Sequence, residues 1–289
     1  MRSHRPVLLA AALLLSLPAI LARAAVLVAG QMVFLLPVGI AAQQNNPIDH
    51  AAHIKTLSEQ LRVHAGQGLE HFESIKEDVS RELYAELDAY VTENFTPSSS
   101  SSQLQAGLDT VLGRKEGDDR HNIVFSVDLQ AGHFLIVGIE LLGAGTNSSN
   151  GYGDSVRFRA YGVSGQSLVY IASTGDLSDS ALADLNAKIV PEGSVLGQFW
   201  FAAWADVPPL APYDVVVRLY SFDGTNFHTI WAPENIIADK IPNAVDVTNA
   251  GSVVVNRMPD WKSQIIEHDQ YSVTAQGVLK TAEWATQRQ

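Results

Sequence analysis

The chain has 289 residues and no cysteine, with 19 Lys+Arg against 31 Asp+Glu, a formal net charge of −12. Without cysteine it can hold no disulfide framework, no thiolate metal site and no lipid-carrying Cys at a leader junction. An acidic surface repels phosphate backbones and anionic headgroups, so nucleic acid is excluded as a partner and a membrane is met only through the N-terminal leader.

Residues 1–42 read as that leader. Arg2, His4 and Arg5 form a positive start, an apolar run follows to Ala22, and Ala22-Arg23-Ala24 is a small-x-small cleavage pattern. A second apolar stretch over 25–42 then precedes the polar Gln43-Gln44-Asn45-Asn46. Either the whole leader is a signal peptide cut near Ala41 or Ala42, or it is retained as a membrane anchor with Arg2 and Arg5 on the cytoplasmic side. Both place the folded part outside the cytoplasm, secreted or periplasmic.

Residues 43–95 predict a helical hairpin. Ile54, Leu57 and Leu61 recur at helical spacing after Pro47, and Val79, Leu83, Leu87 and Val91 do the same after Gly66 and Gly68. Each stripe must be buried against the other or against the domain that follows. His50 and His53 stand three apart, a spacing that allows two metal ligands on one helix face, with His64 beyond the reach of a shared ion. The expectation is solvated surface histidines, since no matching Glu/His pair is evident in the second half.

Residues 96–121 read as a serine-rich flexible linker, Ser98 to Ser102, then a short helix carrying Leu104, Leu108, Val111 and Leu112 and stopped by Gly113. The charged residues 114–120 read as an exposed loop.

From residue 122 to 289 the pattern is that of an antiparallel β domain. Ile123, Phe125, Val127 and Leu129 alternate with polar or outward positions, and Val156, Phe158 and Ala160 alternate with Arg157, Arg159 and Tyr161. Residues 199–204, Phe-Trp-Phe-Ala-Ala-Trp, are apolar on both faces and predict a central strand covered on both sides. Five glycine turns, at Gly132, Gly165, Gly224, Gly251 and Gly277, predict five hairpins and about ten strands. Residues 178–190, ended by Pro191, read as a helix-like insertion. The fold class is therefore α+β: a helical hairpin, then a sandwich or curled sheet of about ten strands. Residues 215–231 resemble one edge of a β-propeller blade, which leaves a partial propeller-like sheet as the alternative.

Local catalytic motifs are missing. Gly162-Val163-Ser164-Gly165 lacks the last glycine of a nucleophile elbow, and Gly143-Ala144-Gly145 does not open a helix. The densest ionisable cluster is Glu267-His268-Asp269: on a strand the two carboxylates share a face and His268 points to the other. It reads as a solvated, aggregation-resistant edge. The loop 143–154, ending at Asp154, offers one carboxylate, too few for calcium. Of the aromatics, the nine between Phe199 and Trp231 read as core, while Trp261 and Trp284 sit among polar residues as candidates for exposed contact. No catalytic, cofactor-binding or metal residue is assigned. The expected function is an exported, non-enzymatic β-domain protein that binds or scaffolds an unknown envelope or extracellular partner. The alternative is a secreted polysaccharide hydrolase or lyase using two of Glu234, Asp260, Glu267 and Asp269.

Overall fold

A computed structural model describes residues 49–65, 69–114, 122–141, 155–178, 182–191, 196–207, 213–274 and 276–288. The leader lies outside these residues, as does the loop 143–154. Among the described residues no helix is long and apolar enough to cross a membrane.

Two long helices come first, α1 (His50–Ala65) and α2 (Leu69–Asn94). Ile54, Leu57 and Leu61 from α1 and Val79, Leu83, Leu87 and Val91 from α2 are all buried in one cluster. The third helix, α3 (Ser101–Val111), shows what the serine run does. Ser100 is its N-cap: its Oγ accepts from the Gln103 amide at 3.2 Å while Gln103 Oε1 accepts from the Ser100 amide at 2.8 Å. This reciprocal capping box turns part of the expected linker into a structured helix start.

Thirteen strands follow among the described residues, in three antiparallel sheets. Sheet 1 is the meander β1 (Ile123–Leu129), β2 (Gly132–Leu141), β3 (Ser155–Ser164) and β4 (Ser167–Ser173). Sheet 2 runs β5 (Ala183–Val190), β6 (Phe199–Asp206), β7 (Tyr213–Phe222) and β8 (Phe227–Trp231), with β9 (Ile236–Ala238) also paired to β7. Sheet 3 is β10 (Val245–Val247), β11 (Val253–Arg257), β12 (Ile265–Thr274) and β13 (Gly277–Gln287). No sheet closes into a barrel, and the architecture is α+β with mainly antiparallel sheets. The segment that resembles a blade edge is the β7–β8 hairpin inside sheet 2.

The layers follow from strand alternation. Leu135, Val137 and Ile139 of β2 face the helices, while Phe134 and Ile136 face sheet 2. In β6 all eight residues are buried. Phe199, Phe201 and Ala203 meet sheet 1, and Trp200, Ala202 and Trp204 meet sheet 3. The order is thus helices, sheet 1, sheet 2, sheet 3. Burying each large ring contributes roughly 1.5–3 kcal/mol, so this doubly covered strand is the centre of stability. Phe158 and Phe201 meet across sheets 1 and 2 with centroids 4.6 Å apart.

Three expectations change. Residues 183–190 form a strand, not a helix-like insertion. Asp184 adopts φ 53°, and the pairing of β5 with β6 shifts register between Ala183 and Asn186. That bulge puts Leu182 and Leu185 into the same cluster, reproducing the three-residue spacing of a helix. Arg114 does not belong to an exposed loop: its side chain is 1% exposed, with its Nη2 donating to the Glu140 carbonyl at 2.7 Å. The polar face of β3 is not solvated either, because α2 covers it. Arg159 is 6% exposed and forms an ion pair with Asp88, its Nε lying 2.7 Å from Oδ1. Tyr161 donates its hydroxyl to the same Oδ1 at 2.7 Å, and the buried Tyr84 ring lies 4.9 Å from the Arg157 guanidinium and 5.1 Å from that of Arg159.

Candidate ligand-binding cleft

Sheet 3 has an inner and an outer face. Val253 and Val255 of β11 and Val273 of β12 turn inward onto sheet 2. Asn256 pairs with His268, and His268 pairs with Trp284, so these three form one row across β11, β12 and β13 on the opposite face. Thr286 stands two residues beyond Trp284 and therefore on that same face.

The row is locked by hydrogen bonds. Asn256 Nδ2 donates to the Asn243 carbonyl at 2.6 Å, in the single 3-10 turn Ile241–Asn243 that precedes β10. Its Oδ1 must therefore accept, and His268 Nδ1 donates to it at 2.7 Å. The other ring nitrogen, Nε2, then accepts from the Thr286 hydroxyl at 2.8 Å. Both nitrogens of His268 are committed, and neither is free to move a proton to a ligand. The imidazole lies almost parallel to the Trp284 indole, 13° between planes and 5.0 Å between centroids. Since β13 is the edge strand of its sheet, no further strand stands beside the other face of the indole. Trp284 remains 42% exposed.

A cleft of about 360 Å³ opens beside this row, lined by Asp239, Lys240, Asn243, Ile266 and Gln287 together with the hydrogen-bonded row. Asp239 Oδ1 sits 2.5 Å from Arg288 Nη2, so one wall is an internally neutral ion pair. The side chains of Lys240, Asn243 and Gln287 are exposed, and among the described residues no hydrogen bond occupies them. The site therefore combines an open aromatic face, a fixed polar row and uncommitted amides.

The expected exposure of Trp261 and Trp284 is what the structure has, at 59% and 42%. Trp261 lies outside the cleft, in the loop between β11 and β12, with the Lys262 ammonium 4.3 Å from its ring centroid. Of the nine aromatics from Phe199 to Trp231, six are buried and Tyr213, Phe227 and Trp231 are partly so.

Glu267 and Asp269 do share a face, but it is the inner one and cations neutralise it. Arg257 Nη2 is 2.7 Å from Glu267 Oε2, and Lys280 Nζ is 2.7 Å from Asp269 Oδ1. Burial pushes the Asp269 carboxyl up, yet Lys280 and Arg257 outweigh it and hold the group below its ordinary value. Asp260 caps the Lys262 amide in an exposed loop, and Glu234 is exposed between β8 and β9. No contact joins either to the other two among the described residues.

His50 and His53 are not free surface histidines. His50 Nδ1 is 2.5 Å from Glu86 Oε2 and His53 Nδ1 is 3.1 Å from Glu86 Oε1, with Glu82 and Glu93 flanking. Glu82 and Glu86 are the four-apart carboxylates of the second helix that the sequence reading overlooked. Among the described residues no three His, Asp or Glu side chains are placed to hold a metal ion.

Sequence reading missed Asn243, Asn256 and Thr286. The signal for Asn256 and Thr286 was alternation counted outward from the Gly251 and Gly277 turns, which places both beside His268. Asn243 carries no such signal, because the turn reaches the row only in three dimensions. No protein-family model matches the chain, and no curated protein matches it.

Proposed function

We propose that the protein is an exported, non-catalytic binding or scaffolding module that seats an envelope or extracellular ligand in the cleft of sheet 3. The observation that carries this reading is the Asn256–His268–Trp284 row: an exposed aromatic ring is held rigid by hydrogen bonds that exhaust the imidazole. A preorganised contact surface with a committed histidine suits recognition better than proton transfer. Export rests on the bipolar leader of residues 1–42.

A photo-crosslinking residue at Gln287, introduced into the full chain in its native cell, tests the binding surface whatever the ligand's class. Adducts are expected from Gln287 and not from the same probe at Gln276, an exposed position at the β12–β13 turn. Equal labelling at the two positions, or none at either, would sink the reading.

A further inference from the structure

We propose, building on the binding role above, that the cleft ligand is a neutral saccharide whose C–H face stacks on the outer face of Trp284 and whose hydroxyls meet Asn243, Gln287, Thr286 and the Asp239–Arg288 pair.

A pyranose ring carries an apolar C–H face and an equatorial rim of hydroxyls, each both donor and acceptor. The site offers matching chemistry on both counts. The indole of Trp284 is backed on one side by His268 at 5.0 Å and faces open space beyond the edge strand on the other. Stacking a C–H face against a ring already fixed in place costs little ordering. Beside it, the amides of Asn243 and Gln287 each supply donors and an acceptor, and they have no internal partner among the described residues. The Asp239 carboxylate keeps acceptor capacity after pairing with Arg288, and Arg288 keeps donors.

Charge argues for a neutral ligand. The one cation of the cleft without an ion-pair partner is Lys240, while the chain as a whole is −12 and repels polyanions. Volume agrees: about 360 Å³ is at the small end of the roughly 300–1,000 Å³ of ligand sites, enough for one or two sugar rings. The open edge lets a longer chain run on past Trp284. A protein adding a strand to β13 is the rival occupant of this edge. It would use the backbone of β13 rather than the indole.

Affinity electrophoresis of the full chain, purified in a non-glycosidic detergent, decides the matter in gels carrying laminarin, dextran, galactomannan, hydroxyethylcellulose or polygalacturonate. At least one neutral polymer is expected to retard the protein. Trp284→Ala should weaken that retardation about tenfold, and Trp284→Phe, which keeps a ring, by no more than about threefold. Trp261→Ala should migrate as the unaltered chain does. Circular dichroism showing a native fold for Trp284→Ala removes misfolding as an explanation. Retardation by polygalacturonate alone, no retardation at all, or retardation untouched by Trp284→Ala in a native fold overturns the proposal. If Gln287 still crosslinks an envelope component while every neutral polymer fails, the saccharide is wrong and the cleft stands; loss of both ends both.

Discussion

At the scale of single residues, Asp206 is the least comfortable side chain in the molecule. It ends β6 with 7% exposure, and its Oδ1 lacks a hydrogen-bond partner. Burial, then Asp184 and Asp214, push its carboxyl up to about 7, against a smaller opposing pull from the Val207 amide. A carboxyl whose value is raised on folding stabilises the folded state fully below its unfolded value near 3.8. That contribution fades as pH climbs through about 7. Asp206→Asn should therefore flatten the decline in stability between pH 4 and 7 and make the protein more stable than its parent at pH 8, by about 1–2 kcal/mol. Denaturant melts at pH 4.5, 6 and 8 measure this. Parallel pH profiles for the two proteins would show that the carboxyl is not protonated in the fold.

At the scale of elements, the α1–α2 pair owes its register to more than its apolar stripes. The Glu86 hydrogen bond raises the value of His50 above 6.5, against some loss from burial, with Glu93 adding to the rise. Burial works against Glu86, but His50 and His53 bring it below 4.5. The histidine contribution is complete below about pH 6.5 and is lost as pH rises through the folded value. The glutamate contribution is present above about 4.5 and is lost as pH falls. The two coexist between those limits. Glu86→Gln should cost about 1 kcal/mol at pH 5.5, allowing for partial solvent screening, and clearly less at pH 8. Helical ellipticity during thermal melts at the two pH values is the readout, and an equal cost at both would rule out the ion pair as its cause.

At the scale of the whole molecule, the helix layer is joined to the sheet stack by a buried polar joint as well as by packing. Asp88 receives both Arg159 and the Tyr161 hydroxyl. Replacing it by Asn leaves a nearly buried guanidinium without its counter-charge, which costs about 3 kcal/mol. Asp88→Asn should therefore loosen α2 before the sheets. The melt followed at 222 nm should precede the one followed by near-ultraviolet tryptophan signals, because Trp200 and Trp204 lie between sheets 2 and 3. Coincident transitions shifted by less than about 1 kcal/mol would show that the apolar cluster alone docks the helices.

Period and punctuation carried the layout of this protein. Apolar residues at helical spacing marked α1, α2 and α3, glycine turns marked the hairpins, and a strand apolar on both faces required cover on both sides, which sheets 1 and 3 supply to β6. These are local properties of the chain, and physics reads them locally. What only the tertiary structure decided is which polar faces meet. Arg157 and Arg159 look solvent-directed until α2 lies across them, Glu86 meets His50 only because two helices cross, and Leu182 and Leu185 look helical until a bulge at Asp184 explains their spacing. The cleft belongs to the same class. Trp284 stands out in the sequence as an exposed ring, but Asn256 and Asn243 become its supports through strand pairing and one turn of 3-10 helix, contacts between segments that no local pattern encodes.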